Sequence, residues 1–393
     1  MEKVTKDELI SYLGKIYGHS EESQISSKKI DLDNATELDK LANDAPTINL
    51  VNSICIDAIR CNASDIHIES EKRYARVRYR IDGVLSTVQT INNESFLAVS
   101  SRIKIMANLN ILEKRQPQDG RISVSVNNEN IDFRISIVPT TFGESIVMRI
   151  LGKSAAPQSL DALGFSKKQL NDIHTMIKIP HGLILVTGPT GSGKTTTLNA
   201  IMRELLSDEV KIISIEDPVE FLVEGVNQIQ INEQIGLGFD SILRRVLRQD
   251  PNVIMVGEIR DSATAELSVR AALTGHLVLS TLHTNDAVSV IQRLVNMGVE
   301  PYLLTSVLKG AIAQRLVRKL SDDKKTFNGR TVISETFTMS PELENFINKT
   351  TNQTLIEEFL KSKGMVTMVQ DAKNKIKAGI TTKDEVLREV QQL

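Results

Sequence analysis

Gly188-Pro189-Thr190-Gly191-Ser192-Gly193-Lys194-Thr195 is the stretch on which the reading of this chain turns. A continuous apolar run, Leu183-Ile184-Leu185-Val186, stands just before it, and a helical pattern opens at Lys194. Between a strand and a helix, Gly-x-x-x-x-Gly-Lys-Thr is a phosphate-binding loop. Its glycines let backbone N–H groups close around phosphates, and the helix N-terminus adds partial positive charge. Lys194 is placed to reach the β- and γ-phosphates, and Thr195 to ligate Mg²⁺. The candidate nucleotide-binding residues are therefore Gly188 through Thr195 together with Thr196, and the expected ligands are ATP and Mg²⁺.

Further apolar runs flank the loop. Lys211-Ile212-Ile213-Ser214-Ile215, Val253-Ile254-Met255-Val256 and Leu277-Val278-Leu279-Ser280 read as strands of a parallel sheet covered on both faces. Helices are expected between them, one running from an Asp261 cap to a Gly275 stop. Residues 158–320 thus form an open α/β nucleotide-binding core, and residues 321–393 read as mostly helical. Ahead of the core, residues 45–151 read as a small α+β domain. There Ile48, Val51, Ile54, Cys55, Ala58 and Ile59 recur at helical spacing. In Arg76-Val77-Arg78-Tyr79-Arg80-Ile81, alternation puts Val77, Tyr79 and Ile81 on one face and the arginines on the other. Ile131 to Ile137 alternates in the same way, after a turn at Asn127-Asn128-Glu129-Asn130. Gly152 to Pro157 reads as a linker. Residues 1–44 read as a short acidic helix and a polar linker, with mobility expected over Ser20–Lys29.

Acids and histidines gather where these strands end. Val256 is followed by Gly257-Glu258, so the first acid comes one residue later than the usual Mg²⁺-side Asp. Glu258 is the candidate to polarise the attacking water, directly or through the metal. Glu216-Asp217-Pro218-Val219-Glu220 closes another strand, and Glu216 or Glu220 is either a water or metal ligand or part of a plain acidic turn. His276 and His283 flank the strand ending at Ser280 and make a poor zinc site. His283 is either a γ-phosphate sensor or a structural histidine. Arg244 and Arg248 share one helix face, as a solvated basic face or as a pair facing triphosphate across a subunit boundary.

Composition narrows the rest. Of 393 residues, 41% are apolar and 24% charged, the balance of a soluble globular protein. With no Trp, 4% aromatics and net charge −2, the chain lacks the basic, aromatic-rich stripe of a nucleic-acid binder. No window approaches the ~18 consecutive apolar residues of a membrane span, and Met1 to Asp7 has no apolar signal core. A cytoplasmic location is expected. Cys55 and Cys61 fit neither a redox pair nor a disulfide framework.

Taken in order, these motifs resemble the secretion ATPases, the motors of type II secretion and type IV pilus assembly. The resemblance runs from about Ala45 to the C-terminus. It is carried by Asn62-Ala63-Ser64-Asp65-Ile66-His67-Ile68-Glu69, Pro117-Gln118-Asp119-Gly120-Arg121, the phosphate loop, an Asp box over Ile215–Glu220, a Walker B segment over Arg248–Asp261, and a His box over Leu273–Asn285. It implies an α/β fold: a RecA-like P-loop core, a smaller α+β, PAS-like N-terminal domain and a helical C-terminal region. It also implies a homohexamer, peripheral at the inner membrane and working with platform proteins there. Hydrolysis would rotate the two domains against each other and drive pilin or pseudopilin assembly. Glu258 becomes the catalytic acid/base, Glu216 a water or metal ligand and His283 a phosphate-side residue. The family's nucleotide-facing arginines map to Arg134, Arg149, Arg244 and Arg248.

Two departures stand out. Many relatives carry a four-cysteine zinc module after the segment matching Gln314–Leu320. Here Ser321–Asn328 intervenes without cysteine, so no zinc is expected. The large N-terminal docking domain of many relatives has no counterpart in residues 1–44. Docking then falls to another surface, to that short segment, or to a longer form of the chain. The competing readings are a pilus-retraction ATPase of the same superfamily, a RecA-like nucleic-acid motor and a non-enzymatic nucleotide sensor.

Overall fold

A computed structural model of the chain describes residues 35–126, 129–151 and 159–390. The expected acidic N-terminal helix, the stretch Ser20–Lys29, turn positions 127 and 128 and the linker Gly152–Pro157 lie outside those residues. No described helix is long and apolar enough to cross a membrane.

Alternation builds the first sheet. In β2 (Tyr74–Ile81), Ala75, Val77 and Tyr79 are buried and Arg76, Arg78 and Arg80 occupy the other face. β2 joins β1 (Ala63–Ser70), β3 (Val84–Asn92), β4 (Gln118–Val126), β5 (Glu129–Thr140) and β6 (Gly143–Leu151) in a six-stranded antiparallel sheet, order β3-β2-β1-β6-β5-β4. Helices Ala45–Arg60 and Asn93–Met106 cover its apolar face with Val51, Ile54, Ala58, Val99 and Ile103. The helix Ala35–Ala42 packs on Asn93–Met106 and buries Leu38 and Ala42 completely. The expected boundary at residue 44 is therefore corrected: this helix belongs to the domain, its Ala35, Leu38, Leu41 and Ala42 falling at helical spacing.

A buried ion pair braces the same domain. Lys104, 1% exposed, sits 2.5 Å from Glu144 and donates to the Glu113 carbonyl at 2.7 Å. Ser100 also donates to Glu144, at 2.7 Å. Removing one member of such a pair costs about 3–5 kcal/mol, because the other charge is stranded.

The second sheet has the opposite grammar. β7 (Gly182–Thr187), β8 (Ile212–Glu216), β10 (Val253–Val256) and β11 (Leu277–Leu282) are buried at every position. Leu183 and Leu185 face the core shared with helices Phe239–Val246 and Ser262–Leu273, while Ile184 and Val186 face helices Lys167–Ile177 and Lys194–Leu205. Asp261 caps the helix Ser262–Leu273 by accepting from Thr264 N at 2.8 Å, and Gly275 follows it with φ 99°. With β9 (Asn227–Gln230), β12 (Leu308–Leu320) and β13 (Phe327–Thr338), the order is β13-β12-β7-β11-β10-β8-β9. β12 runs parallel to β7 and antiparallel to β13.

The expected core limit at residue 320 therefore falls inside a hairpin, and the helical region starts only after Thr338. β13 hid because Thr331, Ser334, Glu335 and Thr336 are polar yet buried, so it shows neither an apolar run nor alternation. Beyond it come helices Pro341–Ile347, Gln353–Ser362, Met368–Lys377 and Lys383–Glu389. The last two are pinned by polar contacts: Asp371 accepts from Ser334 N at 3.0 Å, Lys375 donates to the Val332 carbonyl, and Arg318 forks onto Glu385.

Candidate functional site

Because β7, β8, β10 and β11 run parallel, their carboxyl ends share one rim of the sheet. The loops leaving that rim enclose a cleft of about 420 Å³. The glycine-rich loop follows β7. Gly188, Gly191 and Gly193 have φ of 148°, 80° and 88°. A Cβ on Gly188 would stand 2.5 Å from the Gln314 carbonyl, so the loop turns there only as glycine. Lys194 Nζ donates to the Gly188 and Pro189 carbonyls at 2.8 and 2.9 Å. Burial pulls its pKa down, with Glu258 opposing the shift.

Gln314, to which the sequence reading assigns no role, positions this loop. Fully buried on β12, it donates to the Ser192 carbonyl at 2.8 Å and accepts from Thr197 at 2.9 Å. A glutamine inside an apolar strand is the signal that points to it. Thr187 works in the same way at the end of β7. It donates to the Leu282 carbonyl at 2.9 Å and accepts from Thr284 N at 2.8 Å, locking the phosphate-loop strand to the His283 loop.

Glu258 and His283 both line the cleft, with Glu258 Oε2 3.3 Å from His283 Nε2. Gly257 explains the displaced acid. Its N–H donates to the Ile215 carbonyl at 2.8 Å, and a Cβ there would meet that oxygen at 3.1 Å and Glu216 Cα at 3.5 Å. The strand ends pass closely enough that a side chain there would push its neighbours aside by a few tenths of an ångström, and the carboxylate comes one residue later. Arg260 bridges Glu258 and Asp217, and the Glu258 hydrogen bond raises the arginine's pKa. Glu216 lines the cleft, 3% exposed, its Oε1 accepting from Ser214 at 2.7 Å and Gln228 at 2.8 Å. Glu220 lines it as well. His276 does not: its Nδ1 lies 2.9 Å from the Ala271 carbonyl, which caps the preceding helix.

The four candidate arginines are not brought to this cleft within the chain. Arg244 and Arg248 are exposed on or beside the helix Phe239–Val246, where Arg248 donates to the Arg244 carbonyl at 2.9 Å. Arg134 and Arg149 are exposed, opposite each other, on the face of the first sheet away from its helices. Register extends them into a row across the sheet: Arg80, Asp65, Arg149, Arg134, Arg121. Asp65 holds Arg149 at 3.1 Å and Arg80 at 3.7 Å. Arg121 joins the row unforeseen, since only register reveals it.

The cleft offers a cation hard oxygen donors, Thr195, Glu216 and Glu258 together with Asp217 and Glu220. No group of three or more His, Cys, Asp or Glu residues suited to a metal forms among the described residues. Mg²⁺ needs none, since it rides in with phosphates and takes one or two protein oxygens.

Residues 40–388 match the protein family described as Type II/IV secretion system protein. The chain is 42% identical over 417 residues to the type II secretion system protein HxcR of Pseudomonas aeruginosa, an alignment covering 99% of this chain and 89% of that one. It is 51% identical over 297 residues to the type IV pilus assembly ATPase PilB of Myxococcus xanthus, covering 75% and 52%. Among solved structures, the pilus retraction motor PilT with bound ADP matches with TM-score 0.65 and 30% identity, covering 86% of this chain and 96% of that one.

Proposed function

The chain belongs to the Type II/IV secretion system protein family of ATPases, and from that premise we propose that it is a hexameric motor that hydrolyses MgATP to drive pilin or pseudopilin assembly. One observation carries the reading. The cleft draws Lys194, Glu258 and His283 from its own core, while the arginine row sits on a separate domain outside the cleft. A triphosphate site with a carboxylate to receive a proton and only part of its cationic charge is suited to completion by a second domain or subunit. The same reading places the protein at the cytoplasmic face of the inner membrane with platform proteins as partners, and assigns no nucleic acid.

In the hydrolytic step, Glu258 accepts a proton from the attacking water. The water oxygen bonds to the γ-phosphorus as the bond to the β–γ bridging oxygen breaks. Lys194 and the phosphate-loop amides meet the charge left on the diphosphate. Thr195 with Glu216 or Glu258 would hold Mg²⁺, which would supply further neutralisation of phosphate charge. His283 keeps Glu258 oriented and faces the released phosphate. Arg134 and Arg149, arriving from the N-terminal domain, meet charge that the core leaves unbalanced, with Arg244 and Arg248 in the same role from the core of a neighbour.

The test is Glu258→Gln. It is expected to bind ATP with near-normal affinity and to lose about 10³-fold or more of turnover, within the range for removal of a general base. Near-normal turnover would remove Glu258 from the mechanism. Stimulation of the wild-type ATPase by single-stranded DNA would favour a nucleic-acid motor instead.

A further inference from the structure

Arg330 carries a second, unassigned task. It lines the nucleotide cleft from β13. The Lys and Arg residues lining that cleft, among those described, are Lys194 and Arg330, against the carboxylates of Glu216, Asp217, Glu220 and Glu258. Sheet order separates them. Glu216, Glu258 and His283 leave β8, β10 and β11, on one side of the phosphate-loop strand β7, whereas β12 and β13 lie on the other. A triphosphate whose γ end points at Glu258 therefore has its ribose and α-phosphate end on the β12–β13 side, where Leu316 and Arg330 stand. Leu316 is close enough there that a Cβ on Gly193 would meet it at 3.3 Å.

Arg330 also faces the N-terminal domain. Its Nε lies 3.9 Å from Asp82 Oδ1, and the neighbouring Gly329 N–H donates to Asp82 Oδ2 at 3.1 Å. Asp82 is the first residue of the two-residue turn joining β2 and β3. Its φ of 49° and the 86° of Gly83 are both positive, the twist-matched geometry of a tight hairpin. The carboxylate is thus presented on a stiff tip. Arg318, opposite Arg330 in register, is committed to Glu385 and stacks over Phe327 at 4.2 Å, so it is no substitute.

We propose that Arg330 is a nucleotide contact at the ribose and α-phosphate end, and that nucleotide competes with Asp82 for it. Filling the cleft then loosens the Asp82 turn from its own core. The competition is a fair one. The Arg330 and Asp82 side chains are 43% and 25% exposed at a separation of 3.9 Å, a pair worth only about two- to fivefold in an equilibrium. A phosphate oxygen offers the guanidinium a closer, charge-assisted hydrogen bond. Among the described residues, what then holds the turn to the core is the part-buried Asp82–Gly329 hydrogen bond, helped by the nearby charge of Arg318. Occupancy of the ATP site is thereby tied to freedom of the N-terminal domain, whose arginine row begins at Arg80, two residues before the Asp82 turn. The inference rests on the phosphate loop binding nucleotide and needs neither hydrolysis nor a hexamer.

The experiment uses full-length protein and a fluorescent ADP with Mg²⁺, so a failure of catalysis leaves it readable. Asp82→Asn is expected to tighten ADP binding about two- to fivefold, and Arg330→Gln to weaken it about tenfold, with Arg330→Lys recovering part of the loss. In the Arg330→Gln background, Asp82→Asn should change affinity less than about 1.5-fold, since the competitor has lost its target. Hydrogen exchange gives a readout independent of affinity. ADP should accelerate exchange of the Gly329 amide in the wild type and leave it unchanged in Arg330→Gln. Overturning results are an Asp82→Asn variant with unchanged or weaker ADP binding, the same tightening with and without Arg330, or slower Gly329 exchange on adding ADP.

Discussion

The two sheets place functional groups by opposite rules. The core sheet is parallel, buried on both faces, and has no free surface for chemistry, so its working residues sit past the strand ends. The N-terminal sheet is antiparallel and buried on one face. Its free face carries a row of side chains set by register, Arg121, Arg134 and Arg149. The first arrangement fixes the phosphate loop, Glu258 and His283 rigidly to one another, because each is anchored to a buried strand. The second makes a cationic face carried on one hydrogen-bonded sheet. A motor needs both, a half-site that holds the nucleotide and a half-site that reports its state by moving.

The comparison can be broken most directly at the metal. Chelation should abolish turnover and Mg²⁺ should restore it, while elemental analysis should find far less than one zinc per chain. Stoichiometric zinc would mean that the cysteine-free segment Ser321–Asn328 is not what sets metal content. Next is Arg134→Ala. A movable face acting only on the transition state predicts a loss of about 10³-fold in kcat with KM for ATP changed less than about threefold. Equal losses in binding and turnover would make Arg134 an ordinary binding contact.

Gln314→Ala probes the rigid half. It leaves the Ser192 carbonyl and the Thr197 hydroxyl without their buried partner, at about 1–3 kcal/mol each. A lower Tm and a KM for ATP raised about tenfold should follow, since 1.4 kcal/mol corresponds to one decade. An unchanged KM would show that the phosphate loop holds its shape without β12. The smallest effect is expected at Arg121→Ala, at the edge of the row. Turnover should fall about threefold, within the usual size of an exposed charge contribution, and a loss matching that of Arg134→Ala would extend the catalytic face to β4.

Several parts of this were legible in the chain. The phosphate loop, the apolar runs of β7, β8, β10 and β11 and the Asp261 cap are local signals, each readable within a dozen residues. Glu258 and His283 followed, because strand ends of a parallel sheet gather at one rim. The membership of helix Ala35–Ala42 in the domain and the identity of β13 escaped because both depend on what these segments pack against. The pairs Thr187 with Thr284 and Gln314 with Ser192 escaped for the same reason, as hydrogen bonds across distant segments.

By itself, then, the amino-acid order determined the phosphate-binding loop and which side chains are candidates for chemistry on phosphates, since a backbone turn and its flanking strand and helix are set by nearby residues. Only the tertiary structure decided which arginines share a face, why Gly257 displaces the acid, and that Asp82 meets Arg330 at the edge of the cleft. Those contacts join residues far apart along the chain. They are settled by strand register and sheet order, which the packing of whole cores selects and no short stretch encodes.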